Sequence, residues 1–351
     1  MMTKVNYIKY TSEHKEETLR LLAVLWTHLD EQKQRQLFEW RYEQNPFAAK
    51  KYMYLAVSAT QVVGFRAFVP QALECKGKQI IGLTAADAVV NPDFRRKGIF
   101  TGLIRFFLND IGDNPTGDVV IYNLSSNEYS TPGYLKLGWQ ATSGLKRFAL
   151  RYDLFQHIRL RSGSLKGKEV RFGMHHLKDA TVEISSRVYA EEMAELADRQ
   201  PQKGKIGCIR DTRYFNWRYA FRDKTYIFVY LRVKGNLESY LVLHKVSDSQ
   251  FLLWEYAATN TPMLKTTIKV AVRTIGIPFL RTWVLSRHDS ARLRRCGFMS
   301  APTKIWNLLG KKRLPILVRP VNLKVAKNDF FLNDVDIKNL ENWQLFLADR
   351  H

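Results

Sequence analysis

The sequence predicts an α/β protein, an α+β arrangement of mixed sheets, built as two tandem copies of one fold. Three observations carry that prediction. Residues 87–139 alternate strand, basic glycine turn, helix, strand and helix. A short aromatic motif, Phe38-Glu39-Trp40-Arg41-Tyr42, recurs as Phe215-Asn216-Trp217-Arg218-Tyr219. The chain has 351 residues, a length that suits about two domains, with 46% hydrophobic residues and eight Trp to fill two cores.

The elements follow in order. The first twenty residues hold no apolar signal core, and no run approaches the ~18–20 apolar residues of a membrane span, which predicts a cytoplasmic protein. After the first aromatic motif come strands near residues 52–57 and 62–69. An apolar strand with Ala88, Val89 and Val90 then runs through Asn91-Pro92 into Arg95-Arg96-Lys97-Gly98. The helix that follows repeats its apolar residues at Ile99, Leu103, Ile104, Phe107 and Leu108. A glycine at that junction lets backbone amides face outward at a helix N-terminus, where an anion is favoured, and the three basic residues add charge. Downstream, Pro132 suits a first helical turn and Gly138 a left-handed helix end.

The turn Arg95-x-x-Gly98-x-Phe100, followed by Asn127, Tyr134, Gly138 and Trp139 at their spacing, resembles the GNAT superfamily of N-acyltransferases over about residues 50–142. That family's turn is R/Q-x-x-G-x-G/A, so Phe100 stands where a small residue belongs. The resemblance implies acetyl-CoA as co-substrate. Amides from Arg95 through Arg96, Lys97, Gly98 and Ile99 to Phe100 would hold its pyrophosphate, and Val89 and Val90 would pair with pantetheine as an added strand. Asn127 is expected at a strand end beside the pantetheine, and Tyr134 as general acid for the thiolate, a phenol being near a thiol in pKa. Asp87, on the cofactor strand, is the candidate base, with a structural hydrogen-bonding role open beside it; Glu128 is the competitor. Ser125, Ser126 and Ser130 lack a His partner at a triad spacing and are set aside.

The second copy keeps strands near 226–233, 239–244 and 251–257 and ends LRRCGF. Trp40 to Gly138 spans 98 positions and Trp217 to Gly297 spans 80, so it is a trimmed version. After its third strand comes ATNTPMLKTTIKVAVRTI, with no Arg-x-x-Gly turn, and Leu293 stands where the first copy has Tyr134. The expected organisation is a catalytic domain over 1–150, a basic linker over 151–170, a degenerate domain shaping the acceptor site over 171–315, and a tail over 316–351 packed on the second domain. In both aromatic motifs Trp and Tyr are expected in the core with Arg as a buried hydrogen-bond anchor.

Lys and Arg number 55 against 33 Asp and Glu, a net charge of +22 that favours anionic partners without choosing among them. The charge concentrates over 146–171, over 281–295 and at Lys311-Lys312-Arg313. Cys75, Cys208 and Cys296 lack disulfide or zinc spacing, and the His175-His176 pair suits a solvated loop, so no metal site is expected. The family likeness points to transfer of an acetyl group to a primary amine, small or glycan-linked, such as an amino sugar of polysaccharide or cell-envelope biosynthesis, with peripheral contact to an anionic membrane surface. Two alternatives stand beside it. A Fem-type peptidyltransferase would take an aminoacyl-tRNA and need no CoA turn; a non-catalytic module would have lost the site residues in both copies.

Overall fold

A computed structural model describes residues 5–112, 119–143, 147–164, 169–200, 205–221, 226–300, 316–321 and 330–350. The chain forms two compact units, one of residues 1–143, 314–342 and 350–351, the other of residues 144–313 and 343–349.

In the first unit, β1 (Val5–Lys9) and α1 (Lys15–Leu22) lead to α2 (Glu31–Phe38), capped by Asp30, whose side chain accepts from Lys33 N at 2.8 Å. A π-helical turn, Glu39–Glu43, continues α2 and buries Trp40 and Tyr42. Strands β2 (Tyr52–Ser58), β3 (Gln61–Cys75) and β4 (Lys78–Val90) form an antiparallel meander. Helix α3 (Ile99–Gly112) returns over it, burying Ile99, Leu103, Ile104 and Phe107 of the expected stripe together with Ile111, while Leu108 is half-buried. It crosses to β5 (Val119–Asn123), parallel to β4, and α4 (Thr131–Leu135) and β6 (Gln140–Ala141) follow.

The second unit contains β7 (Arg147–Tyr152), α5 (Leu154–Arg161), β8 (Gly173–His176), β9 (Thr181–Ser185), α6 (Ala190–Asp198), β10 (Ile206–Cys208) and α7 (Thr212–Arg218). It continues with β11 (Tyr226–Val233), β12 (Asn236–Lys245), β13 (Gln250–Ala258), α8 (Thr261–Ile275), β14 (Phe279–Val284), α9 (Arg287–Arg295) and β15 (Met299–Ser300). Its eight-stranded sheet has the order β15-β7-β14-β13-β12-β11-β9-β8. Strand β16 (Leu317–Pro320) joins the first unit's sheet, whose main path is ordered β1-β2-β3-β4-β5-β16-β6.

The two units are register-matched repeats. Asn91 N bonds Val63 O at 2.9 Å and Thr259 N bonds Glu238 O at 2.9 Å; Gly64 pairs with Val90 and Ser239 with Ala258. Stepping along both ladders matches Arg66–Ala88 to Leu241–Tyr256, and therefore Asp87 to Glu255. At the helix ends, Trp139 N reaches Tyr134 O at 3.2 Å and Phe298 N reaches Leu293 O at 3.0 Å. Gly138 and Gly297 both sit at φ 87°, a left-handed helix end that glycine adopts without steric cost.

The boundaries differ from those expected. Residues 147–152 are a strand of the second sheet, not catalytic-domain chain, and the supposed linker carries α5. The tail does not pack wholly on the second unit, because β16 lies between β5 and β6 of the first. Strand β7, which precedes the second copy, lies between β14 and β15, and β16, which follows that copy, lies between β5 and β6. His175 and His176 lie on strand β8 and not in a loop. The cluster Lys311-Lys312-Arg313 and part of the 146–171 stretch fall outside the described residues. All three cysteines are buried and outside any disulfide, and among the described residues no cluster of metal-ligating side chains occurs.

Candidate active site

The site begins where two strands part. Pairing of β4 with β5 runs from Ile81–Val119 to Thr84–Tyr122 and stops, while β4 continues to Val90. Backbone N–H and C=O groups want partners, so the β4 edge from Ala85 through Val89 and Val90 suits an extended ligand that adds as a strand. Val89 is buried and Val90 half-buried.

At the end of that edge lies the basic turn. Asn91 Oδ1 accepts from Asp93 N at 3.1 Å and starts a single 3-10 turn, Pro92–Phe94. Arg96 (φ 61°) and Gly98 (φ 77°) are both left-handed, the first a strained setting for a side chain and the second natural only to glycine. The first amide-to-carbonyl bond closing α3 runs from Gly102 N to Gly98 O at 2.9 Å, so Ile99, Phe100 and Thr101 hold amides that a helix leaves without internal acceptors. A Cβ on Gly98 would meet only Thr101 Oγ1 at 3.9 Å, so the space before the turn is open. Arg95, Arg96 and Lys97 are exposed around it; Lys97 Nζ donates to Asp93 O at 2.9 Å and steadies the turn. Phe100 does not fill this space. Its ring lies over Gly133, where a Cβ would sit 2.9 Å from Phe100 Cε1, and meets Tyr134 edge-on at 5.5 Å. Ile99 turns into the core.

Tyr134 stands where β4 and β5 separate. Its ring is buried between Phe100 and Trp139, at 5.1 Å from the latter, and its hydroxyl accepts a hydrogen bond from Arg66 Nη2. Arg66 also donates to Ala86 O at 2.8 Å, on the free edge of β4. The buried Asn123 is the last residue of β5. Burial pushes the Tyr134 hydroxyl up, and Arg66 and Asn123 act against that rise. Asn127 lies four residues beyond the strand end, and its Oδ1 accepts from Tyr129 N at 3.1 Å and Ser130 N at 2.8 Å, capping the approach to α4. The strand-end position expected for it belongs to Asn123.

Asp87 faces other partners. Its Oδ2 accepts from Arg41 Nη1 at 2.5 Å and from Tyr42 Oη at 2.7 Å. In the second unit Tyr219 Oη donates to Glu255 Oε2 at 2.7 Å, the same bond at the matched positions. Arg210 Nε supplies the guanidinium there, at 2.5 Å from Glu255 Oε1. The contact therefore belongs to the shared fold, which supports the anchoring reading of Asp87. Glu128 is exposed beside Asn127. Between β13 and α8 only Thr259 and Asn260 intervene, and Asn260 caps the helix itself by accepting from Met263 N at 2.9 Å. The second unit has no glycine turn, and buried Leu241 and Leu293 occupy the places of Arg66 and Tyr134.

Sequence reasoning missed Arg66 and Asn123. A lone Arg inside the apolar run Val62-Val63-Gly64-Phe65-Arg66-Ala67-Phe68 was the available signal for the first.

Residues 6–142 match the family model described as an acetyltransferase (GNAT) domain. No curated protein matches the chain in sequence. A protein of Enterococcus faecalis V583 described as a probable N-acyltransferase is similar in structure, with TM-score 0.65 and 13% identity over 92% of this chain and 74% of its own. A tandem GNAT protein of the clavulanic acid biosynthesis pathway matches with TM-score 0.52 and 13% identity, covering 91% of this chain and 99% of that one. Saccharomyces cerevisiae N-myristoyltransferase with bound myristoyl-CoA matches with TM-score 0.54 and 11% identity, over 91% and 80%. At these identities the structural likeness establishes the fold.

Proposed function

We propose, from the premise that residues 6–142 belong to the acetyltransferase (GNAT) domain family, that the chain is an N-acyltransferase taking an acyl group from acyl-CoA to a primary amine, with acetyl-CoA as the donor to test first. The observation that carries the reading is the strand splay that has the glycine turn at its mouth and Tyr134 at its apex.

Amides of the turn from Arg95 to Phe100 bind pyrophosphate, with Arg95, Arg96 and Lys97 attracting it electrostatically. The edge of β4 through Val89 and Val90 pairs with pantetheine, and amides of that edge polarise the thioester carbonyl. Tyr134 gives its proton to the sulfur as the C–S bond breaks. Asp87 holds the π-helical turn against β4. Donor chemistry is assigned to the first unit alone, because the second lacks the turn and the phenol.

The acceptor is a small amine or a glycan-linked one, an amino sugar in the favoured case, and the charge of +22 suits an anionic carrier. Helix α5 supports contact with an anionic lipid surface: Leu154, Phe155 and Ile158 are 62%, 65% and 56% exposed beside Arg159 and Arg161. Calorimetric titration with acetyl-CoA tests the donor, using Gly98→Asp as control; an amine panel with thiol release as readout then tests the acceptor. Saturable binding that the variant removes supports the reading. Binding of bulk tRNA without acetyl-CoA would transfer it to the aminoacyl-tRNA class.

A further inference from the structure

On the reading that the first unit uses acyl-CoA, we infer that Arg66 is a positioning residue for the transfer: it holds Tyr134 with its proton toward the sulfur and places a positive charge behind the departing thiolate.

The first observation is what surrounds the guanidinium. Arg66 is 1% exposed. Its contacts are neutral groups: Ala86 O at 2.8 Å, Asp87 O at 3.4 Å, the Tyr134 hydroxyl, and the Phe68 ring at 4.5 Å. Its Nε is buried without a hydrogen-bond partner. The carboxylate of Asp87 bonds Arg41 and Tyr42 instead, and among the described residues no carboxylate forms an ion pair with Arg66. A buried cation without a counter-ion is costly to a fold, and a site in which an anion forms during turnover gives it a purpose.

The second observation is a direction. A guanidinium only donates, so Tyr134 Oη accepts from Arg66. With that donor on its oxygen, Tyr134 directs its own proton away from the guanidinium. Around it α3 presents the apolar Phe100, and Trp139 closes the other side, with Arg319 of β16 stacked beyond that indole at 5.3 Å. Arg66 is thus the charged group in contact with the phenol.

The third observation is the internal control. The second unit keeps the tyrosine-to-carboxylate bond as Tyr219–Glu255, yet carries leucine at both positions of the Arg66–Tyr134 pair. A residue required to hold the sheet belongs in both copies; a pair required for chemistry is absent where the chemistry is absent.

In the step itself the neutral amine nitrogen bonds the thioester carbon, the C–S bond breaks with its electrons on sulfur, and the acylated nitrogen gives its extra proton to solvent. Tyr134 O–H transfers its proton to that sulfur, and the phenolate stays beside Arg66 until solvent returns a proton. The same charge should gather when product CoA binds, since thiol and phenol then share one proton fewer at neutral pH.

Calorimetry with CoA and with desulpho-CoA, in buffers of different ionisation enthalpy, reads that proton without an acceptor. Wild type is expected to release protons on binding CoA and none on binding desulpho-CoA. Arg66→Leu, which copies Leu241, should bind CoA with the release lost; Arg66→Lys should retain much of it. Equal release from wild type and Arg66→Leu, or CoA binding by wild type without release, overturns the role of Arg66 and leaves the acyl-CoA reading standing. Failure of wild type to bind CoA overturns that reading and the role together. Should Arg66→Leu not fold, the wild-type comparison of the two ligands and the lysine variant still decide.

Discussion

Tyr134 and Asp87 are each a polar side chain near the splay, yet their surroundings predict different consequences of removal. Tyr134→Phe deletes the donor while keeping the ring between Phe100 and Trp139. Turnover should fall by ~10²–10⁴-fold, the usual weight of a general acid. The acyl-CoA dissociation constant should stay where it was, because the buried hydroxyl is not part of the exposed glycine turn proposed to take the phosphates; steady-state kinetics with calorimetry separates the two. Raising the phenol further has a signed effect: in Arg66→Leu any alkaline limb of kcat moves to higher pH, and in Arg66→Lys, which keeps the charge, it moves less, since Arg66 works against the rise that burial imposes. Asp87→Asn instead breaks an ion pair whose side chains are 11% and 15% exposed, at a cost of about 3–5 kcal/mol of stability. Activity should fall with the folded fraction and return on cooling, as thermal melts run beside assays will check. A loss of kcat in fully folded Asp87→Asn would restore it as the base. Tyr134 and Gly98 were legible because they stand at fixed offsets within one local segment. Arg66 was not, since its meaning depends on the register of β3 against β4, which no local pattern displays.

At the scale of the element, the glycine turn is a conformation before it is a charge. Gly98→Asp puts a side chain at φ 77° and a carboxylate into the open space where phosphate is expected, so acetyl-CoA affinity should collapse while the fold survives. Titration of the variant measures this directly, and unchanged affinity would remove the cofactor assignment. Changes at Leu293, in the unit without such a turn, should leave affinity intact. Helix α5 offers a separate test. Phe155→Ser with Ile158→Ser removes apolar surface from an exposed basic helix, and sedimentation with anionic vesicles should weaken while acetyl-CoA binding persists. Equal sedimentation would detach the membrane contact from this helix. The chain around α5 was misread as a linker for a physical reason: Ser162-Gly163-Ser164 and dense positive charge mark exposure, and an exposed amphipathic helix has the same composition as an exposed crossing.

For the whole molecule, the exchange of β7 and β16 makes the first unit depend on chain that follows the second. In β16, Leu317 is fully buried in the cluster that holds Ile121, Tyr134 and Trp139, and it pairs with Asn123 on one side and Ala141 on the other. Arg319 donates to Leu137 O at 3.0 Å, at the end of the segment that carries Tyr134. The repeat was visible in the sequence through Trp-Arg-Tyr and the closing glycines, but the exchange was not, because β7 and β16 are too short and too ordinary in composition to declare which sheet they join. The consequence is testable by rewiring. Residues 1–143 alone leave β5 and β6 without the strand between them, and the aromatic packing behind Tyr134 loses one wall; that fragment should lack a cooperative melt and fail to bind acetyl-CoA. Thr142 N donates to Ile316 O at 2.9 Å, so β6 and β16 already run as the two arms of a hairpin. Joining residue 143 to residue 314 through a short turn, with the chain carried on to residue 342, restores the strand in its place. This permuted unit should regain both the melt and the binding. If the bare fragment binds as tightly as the whole chain, β16 is dispensable to the donor site; if the rewired unit folds and still does not bind, the donor site needs more than its own sheet.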